Sequence, residues 1–261
     1  MKLGLDGRKV LVVGASRGLG KAIAIAFAEE GCHVIAAARS VDKIKTWRAA
    51  LSPELAARVV IKPLDLADTS GIDMLAAELL GAGGVDILIN NCGGPAPGTA
   101  LAAKPEAWDA AFSSMASSVF RLTGHLIAPM IERGFGRIIT IGSSGIEQPI
   151  ANLALSNGVR AAVAGWSKSL ASEVAKHGVT VNMVLPGRVD TERVQSLDAS
   201  RADREKRSLA EVQIASAAEI PAGRYGKPEE FAAVAVFLAS EPAAYVTGSM
   251  IRVDGGLIKS V

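Results

Sequence analysis

The sequence predicts an α/β protein in which helices cover both faces of one parallel sheet, a doubly wound arrangement. Short apolar runs alternate with amphipathic helical patterns along the whole chain, which is the order of elements that builds such a sheet. Several runs, among them residues 87–89, are continuously apolar, as expected of strands that are buried on both faces. A chain of 261 residues with 49% hydrophobic residues can bury one large core, so we expect a single domain over residues 1–261.

Seven strands are predicted, and a helical pattern follows each of them except the last. The strand candidates are residues 9–14, 33–38, 58–62, 85–90, 136–142, 178–184 and 249–253. Because parallel strands end at the same edge of a sheet, the polar residues that follow them should meet in one crevice. Only residues 192–220, a mixed-charge stretch, interrupt the alternation. We interpret this stretch as a solvated helical hairpin, with a substrate lid as the alternative.

The composition excludes several classes of function. The net charge is +2, from 28 basic and 26 acidic residues, which gives no reason to expect a nucleic acid partner. The three histidines, His33, His125 and His177, lack the spacing of metal ligands, and we expect no metal. Cys32 and Cys92 lie in separate units and form no disulfide framework. Since no apolar run approaches ~18 residues, the sequence predicts no membrane partner and a cytoplasmic protein.

The first strand leads into a glycine-rich turn and then into a helix. Residues 14–20 read Gly-Ala-Ser-Arg-Gly-Leu-Gly. Gly14 permits a sharp turn as the strand ends, and Gly18 and Gly20 leave the first helical amides bare, which suits a phosphate group. The turn lies near the start of the chain and precedes a second apolar run at residues 34–38. This context favours a dinucleotide-binding unit over an ordinary glycine-rich connection.

Further motifs follow in order along the chain. They are Asp65-Leu66, Asn90-Asn91-Cys92-Gly93, Pro186-Gly187-Arg188-Val189-Asp190-Thr191, residues 224–230 and residues 253–256. Together with the glycine-rich turn, this set resembles the short-chain dehydrogenase/reductase family over nearly the whole chain, in particular its 3-oxoacyl-acyl-carrier-protein reductases. The resemblance implies a Rossmann-like fold and hydride transfer between a nicotinamide cofactor and a small carbonyl or alcohol substrate.

The resemblance also implies which residues bind the cofactor. The matching positions are Gly14, Ser16, Arg17, Gly18, Leu19, Gly20, Arg39, Asp65, Leu66, Asn91, Cys92, Gly93, Arg160, Pro186, Gly187, Val189 and Thr191. Within this set, Asp65 corresponds to the aspartate that contacts the adenine, and Thr191 to the residue that binds the carboxamide. Thr191 is also a good N-cap for the helix that follows, and both roles are compatible.

The end of the second strand bears on the choice of cofactor. An acidic residue there would bind a bare ribose 2′-hydroxyl and repel a phosphate, but the place is held by Ala38, followed by Arg39. With Arg17 in the glycine-rich turn, two guanidinium groups can flank a 2′-phosphate. We therefore predict NADP(H) in preference to NAD(H). The alternative is that both arginines are ordinary surface cations.

The catalytic helix departs from the family pattern. Related reductases carry a serine and then Tyr-x-x-x-Lys on the next helix. Ser143 fills the first place, and the family's gap of about thirteen residues leads to Ser156, with Arg160 four residues further on. The family's downstream sequence continues in the same register. An alternative register puts Leu153 and Asn157 at the two places but requires a deletion.

Neither register restores a tyrosine. A serine hydroxyl is a poor proton donor and an arginine stays protonated, so neither replaces the usual acid. Met115 also stands where the family has an asparagine that holds a relay water. Arg160 can still bind the nicotinamide ribose and stabilise an alkoxide on a substrate held by Ser143 and Ser156.

Two functions follow from this departure. The first is an oxidoreductase that takes its proton from water or from the substrate. The second is an inactive cofactor-binding protein that acts as a sensor or as a partner subunit. The persistence of polar groups at both key places favours the enzyme.

The resemblance further implies self-association, as a homotetramer or a dimer. Four small residues keep one face of the catalytic helix narrow, which allows either a partner helix or packing within the chain. They are Ala161, Ala162, Ala164 and Gly165. Substrate specificity is expected from residues 94–98, 146–150 and 192–220, which carry no recognisable code.

Overall fold

Seven parallel strands form a single sheet in the computed structural model, which describes residues 2–260. The strands are β1 (Lys9–Val13), β2 (His33–Ala38), β3 (Val59–Pro63), β4 (Ile87–Asn90), β5 (Gly136–Ile141), β6 (Val179–Pro186) and β7 (Met250–Val253). Their order in the sheet is β3-β2-β1-β4-β5-β6-β7, which confirms the predicted doubly wound, Rossmann-like fold. The order reverses between β1 and β4, and ligands of such sheets bind outside the strand ends at that point.

Helices cover both faces of the sheet, as predicted. They are α1 (Gly18–Glu29), α2 (Val41–Ala49), α3 (Pro53–Ala57), α4 (Thr69–Gly81), α5 (Pro105–Phe112), α6 (Ser118–Glu132), α7 (Ala154–Val174), α8 (Glu192–Glu205), α9 (Leu209–Ala218) and α10 (Pro228–Ala239). On one face, Phe27 of α1 and Phe231 of α10 are fully buried. On the other face, Leu122 and Leu126 of α6 pack with residues of α4 and α7. These two close-packed layers fix the strand ends that form the site.

The predicted helical hairpin forms from α8 and α9. Ser208 caps α9, because its hydroxyl oxygen accepts a hydrogen bond from the Glu211 amide at 3.2 Å and its own amide donates to the Glu211 carboxylate at 2.8 Å. Asp198 of α8 is 0% exposed. Its carboxylate accepts hydrogen bonds from Arg188 at 2.6 Å and from the Tyr225 hydroxyl at 2.7 Å. A buried ion pair therefore anchors the hairpin to the turns that follow β6 and precede α10.

One π-helical turn, Ser113–Ser117, joins α5 to α6. Single π turns of this kind are frequent at functional sites. Met115 lies in this turn, is 3% exposed and packs with Val159 and Val163 of α7. The position that the resemblance gives to a relay asparagine is therefore filled by apolar packing.

Other features of the described chain bear on the classes of function. Within residues 2–260, no helix combines the length and the apolar character needed to cross a bilayer. The same residues bring together no group of three His, Cys, Asp or Glu side chains able to hold a metal ion. Both cysteines are free. Burial raises the pKa of the Cys32 thiol to about 12, so this thiol is chemically inert near neutral pH.

Candidate active site

The glycine-rich turn after β1 has a conformation and contacts that require glycine. Gly14 and Gly18 have φ angles of 67° and 54°, in the left-handed region that most residues avoid. A Cβ atom at Gly20 would lie 2.2 Å from the Gly14 carbonyl oxygen, so α1 packs directly against the turn. Arg17, the N-cap residue of α1, makes no side-chain capping hydrogen bond. The first amides of α1 thus lack a capping side chain, and they fit a phosphate group.

The turn after β4 lies against the glycine-rich turn. The Asn91 side chain donates a hydrogen bond to the Gly14 carbonyl oxygen at 3.2 Å. A Cβ atom at Gly14 would in turn lie 2.5 Å from the Asn91 carbonyl oxygen. Because β1 and β4 are paired in parallel, these contacts join the two turns at the point where the strand order reverses.

The remaining residues predicted to bind the cofactor lie along the same edge of the sheet. Asp65 follows β3, and its carboxylate accepts a hydrogen bond from the Ala67 amide at 3.0 Å. Thr191 caps α8, as predicted, with its hydroxyl oxygen accepting from the Val194 amide at 3.3 Å. A Cβ atom at Gly187 would lie 2.6 Å from the Cα atom of Asp254, so the chain after β6 passes close to the end of β7. Others at or beyond strand ends are Ser16, Leu19, Leu66, Cys92, Gly93, Pro186 and Val189.

The two arginines predicted at a 2′-phosphate have different surroundings. Arg17 pairs with Glu192 of α8 at 2.6 Å, and Lys43 lies 3.6 Å from the same carboxylate. The hydrogen bond from Arg17 lowers the pKa of Glu192. Arg39 is exposed and forms no ion pair with any residue of the described range 2–260. Arg39 can therefore form an ion pair with a bound anion, whereas the charge of Arg17 is already partly neutralised by Glu192.

Arg160 of α7 reaches the ends of two central strands. Its Nη1 atom donates to the Ile141 carbonyl oxygen at 2.7 Å, at the end of β5. Its Nη2 atom donates to the Cys92 carbonyl oxygen at 3.2 Å, in the turn after β4. Ser156 lies one helical turn earlier on α7 and is 8% exposed. The guanidinium group is thus a fixed positive charge in the crevice that the strand ends form.

Ser143 and Asn157 shape the segment between β5 and α7. The Ser143 hydroxyl oxygen accepts a hydrogen bond from the Gly145 amide at 3.1 Å. The Asn157 side chain donates to the Ile150 carbonyl oxygen at 2.9 Å. A Cβ atom at Gly145 would lie 2.4 Å from Asn157 Oδ1. Of the two residues in the alternative register, Leu153 is the N-cap residue of α7 and Asn157 packs into this segment. Arg160, which belongs to the first register, is the residue that reaches the strand ends.

Neither of the two tyrosines forms a hydrogen bond with Ser143, Ser156 or Arg160. Tyr245 is fully exposed, and the hydroxyl of Tyr225 donates to Asp198 beneath the hairpin. Burial and the hydrogen bond to Asp198 raise the pKa of Tyr225, which makes it a weaker acid. The structure therefore offers no tyrosine hydroxyl within hydrogen-bonding contact of Ser143, Ser156 or Arg160 among residues 2–260.

A cavity of about 680 Å³ opens beside the segment after β5. Its lining is largely apolar, with several arginines among the lining residues, and a volume of this size suits a small molecule. The α8–α9 hairpin and the C-terminal residues form part of its wall. Lining residues include Pro97, Ser144, Leu153, Arg188, Leu197, Arg201 and Leu257.

Comparison with known proteins shows the family of this chain. The family model described as enoyl-(acyl carrier protein) reductase matches residues 14–258. The 3-oxoacyl-acyl-carrier-protein reductase FabG of Vibrio cholerae is 36% identical over 256 residues, which cover 98% of this chain and 99% of that protein. This chain belongs to the short-chain dehydrogenase/reductase family. The resemblance inferred from the motifs is confirmed.

Solved structures of short-chain dehydrogenases/reductases share the fold over their full length. L-sorbose reductase from Gluconobacter frateurii, solved with NADPH and L-sorbose, matches with a TM-score of 0.93 and 33% identity, covering 100% of both chains. The actinorhodin polyketide ketoreductase, solved with NADPH, matches with a TM-score of 0.91 and 32% identity, covering 99% of this chain and 100% of the other. The protein is therefore an oxidoreductase of this family.

Arg193 of this short-chain dehydrogenase/reductase belongs to none of the sequence motifs that predict the site. In the first turn of α8, its Nη2 atom donates to the Pro95 carbonyl oxygen at 2.9 Å, in the segment after β4. Burial, followed by the like charges of Arg160 and Arg17, lowers the pKa of Arg193. No local pattern signals this contact, because Arg193 and Pro95 are 98 residues apart.

Proposed function

We propose that this protein transfers a hydride between NADP(H) and a carbonyl or alcohol substrate through an atypical site of Ser143, Ser156 and Arg160. The observation that carries the proposal is the position of Arg160, which bridges the carbonyl groups of Ile141 and Cys92 at the strand ends. This position supports the register in which Ser156 and Arg160 replace the family's tyrosine and lysine. The NADPH present in two related structures supports the choice of cofactor.

The turns after β1 and β4 would hold the cofactor. The bare amides of α1 would bind its pyrophosphate. Asp65 would contact the adenine, and Thr191 would bind the carboxamide of the nicotinamide. When bound, the reduced nicotinamide supplies a hydride to the carbonyl carbon of the substrate. Asn91 keeps the two turns together through its bond to the Gly14 carbonyl, and would thereby help to hold the cofactor.

The residues of α7 and of the turn after β5 act on the substrate oxygen. Ser143 and Ser156 offer hydroxyl donors to that oxygen, and Arg160 offers a fixed charge. As the carbonyl carbon accepts the hydride, its oxygen becomes an alkoxide, and its attraction to the guanidinium group increases. The alkoxide is basic enough to take a proton from solvent water, which gives the alcohol and releases hydroxide to the bulk solvent.

NADP(H) is preferred over NAD(H) in this proposal because β2 ends without an acidic residue. We expect a dissociation constant for NADPH at least tenfold below that for NADH, measured by nucleotide fluorescence, because Arg39 and Arg17 pair with the 2′-phosphate. Arg39→Ala should remove most of the difference. Lys45→Ala, which removes an exposed cation of α2, should leave both constants unchanged. Tighter binding of NADH than of NADPH would contradict the preference.

The catalytic role is tested by restoring the family's residues. NADPH oxidation is measured against ketones, aldehydes and acyl thioesters for the parent, for Arg160→Met and for Ser156→Tyr combined with Arg160→Lys. We expect Arg160→Met to lower kcat by about 10²- to 10³-fold, the usual effect of removing a group that stabilises an oxyanion. If the substituted site is the active one, the double variant loses the parental activity.

A second function, cofactor binding without turnover, is favoured by one observation. Met115 is buried in apolar surroundings where a relay asparagine would be needed, so the usual path for a proton is closed. For this function, the parent binds NADPH but reduces no acceptor in the panel. Activity that arises only in the double variant would support this second function over the first.

Self-association and the role of the α8–α9 hairpin are also part of the proposed function. Ala161, Ala162 and Gly165 are exposed on α7, so they leave room for a helix of a second copy in a homotetramer or a dimer. The α8–α9 hairpin, which forms part of the cavity wall, would cover the substrate. Sedimentation that shows only monomer would contradict the assembly.

A further inference from the structure

Two guanidinium groups from different helices bind the same turn after β4. Arg160 of α7 donates to the Cys92 carbonyl oxygen at 3.2 Å, and Arg193 of α8 donates to the Pro95 carbonyl oxygen at 2.9 Å. Cys92 and Pro95 are three residues apart, which even a fully extended chain spans in at most about 11 Å. Gly94 makes room for the second group, because a Cβ atom there would lie 3.2 Å from Arg193 Nη2.

Neither guanidinium group has a carboxylate partner within residues 2–260, in contrast to neighbouring arginines. Arg188 pairs with Asp198 at 2.6 Å. Glu192 precedes Arg193 in sequence, but its carboxylate is bound by Arg17. Burial lowers the pKa of Arg193, and the charges of Arg160 and of Arg17 in the glycine-rich turn lower it further. Two like charges held close together without a counterion are unfavourable, and an anion bound beside them would offset this cost.

We propose that Arg193 binds a carboxylate group of the substrate, so that the substrate is an oxo acid or the corresponding hydroxy acid. The inference rests on the proposed function, in which Arg160 stabilises the oxygen that is being reduced. Arg193 then pairs with the carboxylate on a neighbouring carbon of the same molecule. A guanidinium group suits this role because it forms two parallel hydrogen bonds with a carboxylate.

The position of Arg193 favours the substrate over the cofactor as its partner. The residues predicted to bind the cofactor in this turn end at Gly93, and Arg193 binds Pro95, in the segment expected to set specificity. Pro97 of that segment and Val194, the residue after Arg193, both line the cavity of about 680 Å³. Arg193 is therefore adjacent in sequence to one residue of the cavity wall, and it is hydrogen-bonded to the segment that supplies another.

Binding of a small carboxylate to the NADP⁺-loaded protein tests the inference without requiring turnover. The probe is oxamate, with neutral oxamide as its matched control, and binding is measured by titration calorimetry. We expect oxamate but not oxamide to bind, and Arg193→Leu to weaken oxamate binding about 10- to 100-fold, the worth of a charge-assisted hydrogen-bonded pair. Arg193→Lys should weaken it less, since the charge is kept. Lys176→Leu, which removes an exposed cation between α7 and the start of β6, should have no effect.

Three outcomes would overturn the inference. The first is equal binding of oxamate by the parent and by Arg193→Leu, and the second is no binding of oxamate by the NADP⁺-loaded parent. In the third outcome, Arg193→Leu weakens NADP⁺ binding tenfold, which would mean that the arginine serves a phosphate of the cofactor.

Kinetics separates failure of the inference from failure of the proposed function. Arg193→Leu should raise KM for a 2-oxo acid about 10- to 100-fold and leave KM for its methyl ester unchanged. Reduction of neutral ketones by a parent that does not discriminate acid from ester would overturn the inference while the proposed function stands. A parent that binds oxamate through Arg193 and reduces no acceptor would remove the proposed function and leave the carboxylate site.

Discussion

At the scale of single residues, the site depends on which side chains are missing as well as on those present. The absence of a Cβ atom at Gly20 lets α1 approach the glycine-rich turn, and the absence of a phenol on α7 removes the usual acid. Both features are visible in the sequence, since Gly20 and the lack of a tyrosine in residues 154–174 are read directly from it. The hydrogen bonds of Arg160 are not, because its partners are 19 and 68 residues away and only the folded sheet brings them together.

The close contact at Gly20 predicts a selective loss. Gly20→Ala would place a methyl group 2.2 Å from the Gly14 carbonyl oxygen, so α1 must shift away from the turn. We expect NADPH binding to weaken at least tenfold and the free energy of unfolding to fall by about 1–3 kcal/mol, the usual cost of overpacking.

Gly81→Ala is the matched control for this substitution. A Cβ atom at Gly81, in the last turn of α4, would meet nothing within 4 Å, so NADPH binding should be unchanged and stability should rise slightly. Fluorescence titration and urea unfolding measure both quantities. Equal NADPH affinities for the two variants would show that the close approach of α1 to the turn does not determine NADPH binding.

At the scale of elements, apolar periodicity predicts where strands and helices lie but not how the connections between them are built. Residues 85–90 were predicted as a strand, and β4 begins at Ile87; β6 runs to Pro186, beyond the predicted end at residue 184. The π turn at Ser113–Ser117 has no signal of its own, because its residues fit an α-helical pattern equally well. The partners of Asp198 were also not predictable, because they come from two separate turns.

The buried carboxylate of Asp198 predicts how firmly the hairpin is held. Asp198→Asn keeps the shape of the side chain but removes the charge that Arg188 and Tyr225 face. We expect the free energy of unfolding to fall by about 2–3 kcal/mol, because hydrogen bonds to a charged group are lost and a cation is left unpaired.

Proteolysis and urea unfolding would measure this effect. Cleavage within residues 192–220 should become faster, since the hairpin loses its anchor. Asp203→Asn, at an exposed position of the same helix, should change neither result. If Asp198→Asn is as stable and as resistant to cleavage as the parent, the ion pair does not anchor the hairpin.

At the scale of the whole molecule, ion pairs make stability depend on pH, as the pair of Arg224 with Glu230 in the first turn of α10 illustrates. Arg224 and the amide of Lys227 lower the pKa of Glu230 to about 2, from an ordinary value near 4.5. A carboxylate whose pKa is lowered in the folded state stabilises that state above its ordinary pKa. This contribution is lost as the pH falls from about 4.5 to about 2.

Glu230→Gln should therefore have a lower Tm than the parent at pH 7, with a difference that shrinks below pH 4.5 and vanishes near pH 2. Melting followed by circular dichroism measures it. Glu229→Gln, which changes a neighbouring exposed residue of α10, should show no such trend. A difference that stays constant down to pH 2 would show that the pair does not act through charge.

The central claim is that this fold still carries out hydride transfer although the phenolic acid is absent. Its most direct test is to incubate the protein with NADPH deuterated at the transferring position of the nicotinamide and with a panel of neutral ketones and oxo acids. Mass spectrometry then looks for the label in the products. The account predicts an alcohol with one deuterium on its carbinol carbon, in amounts that fall about 10²- to 10³-fold for Arg160→Met. NADPH that binds but transfers label to no acceptor would contradict it.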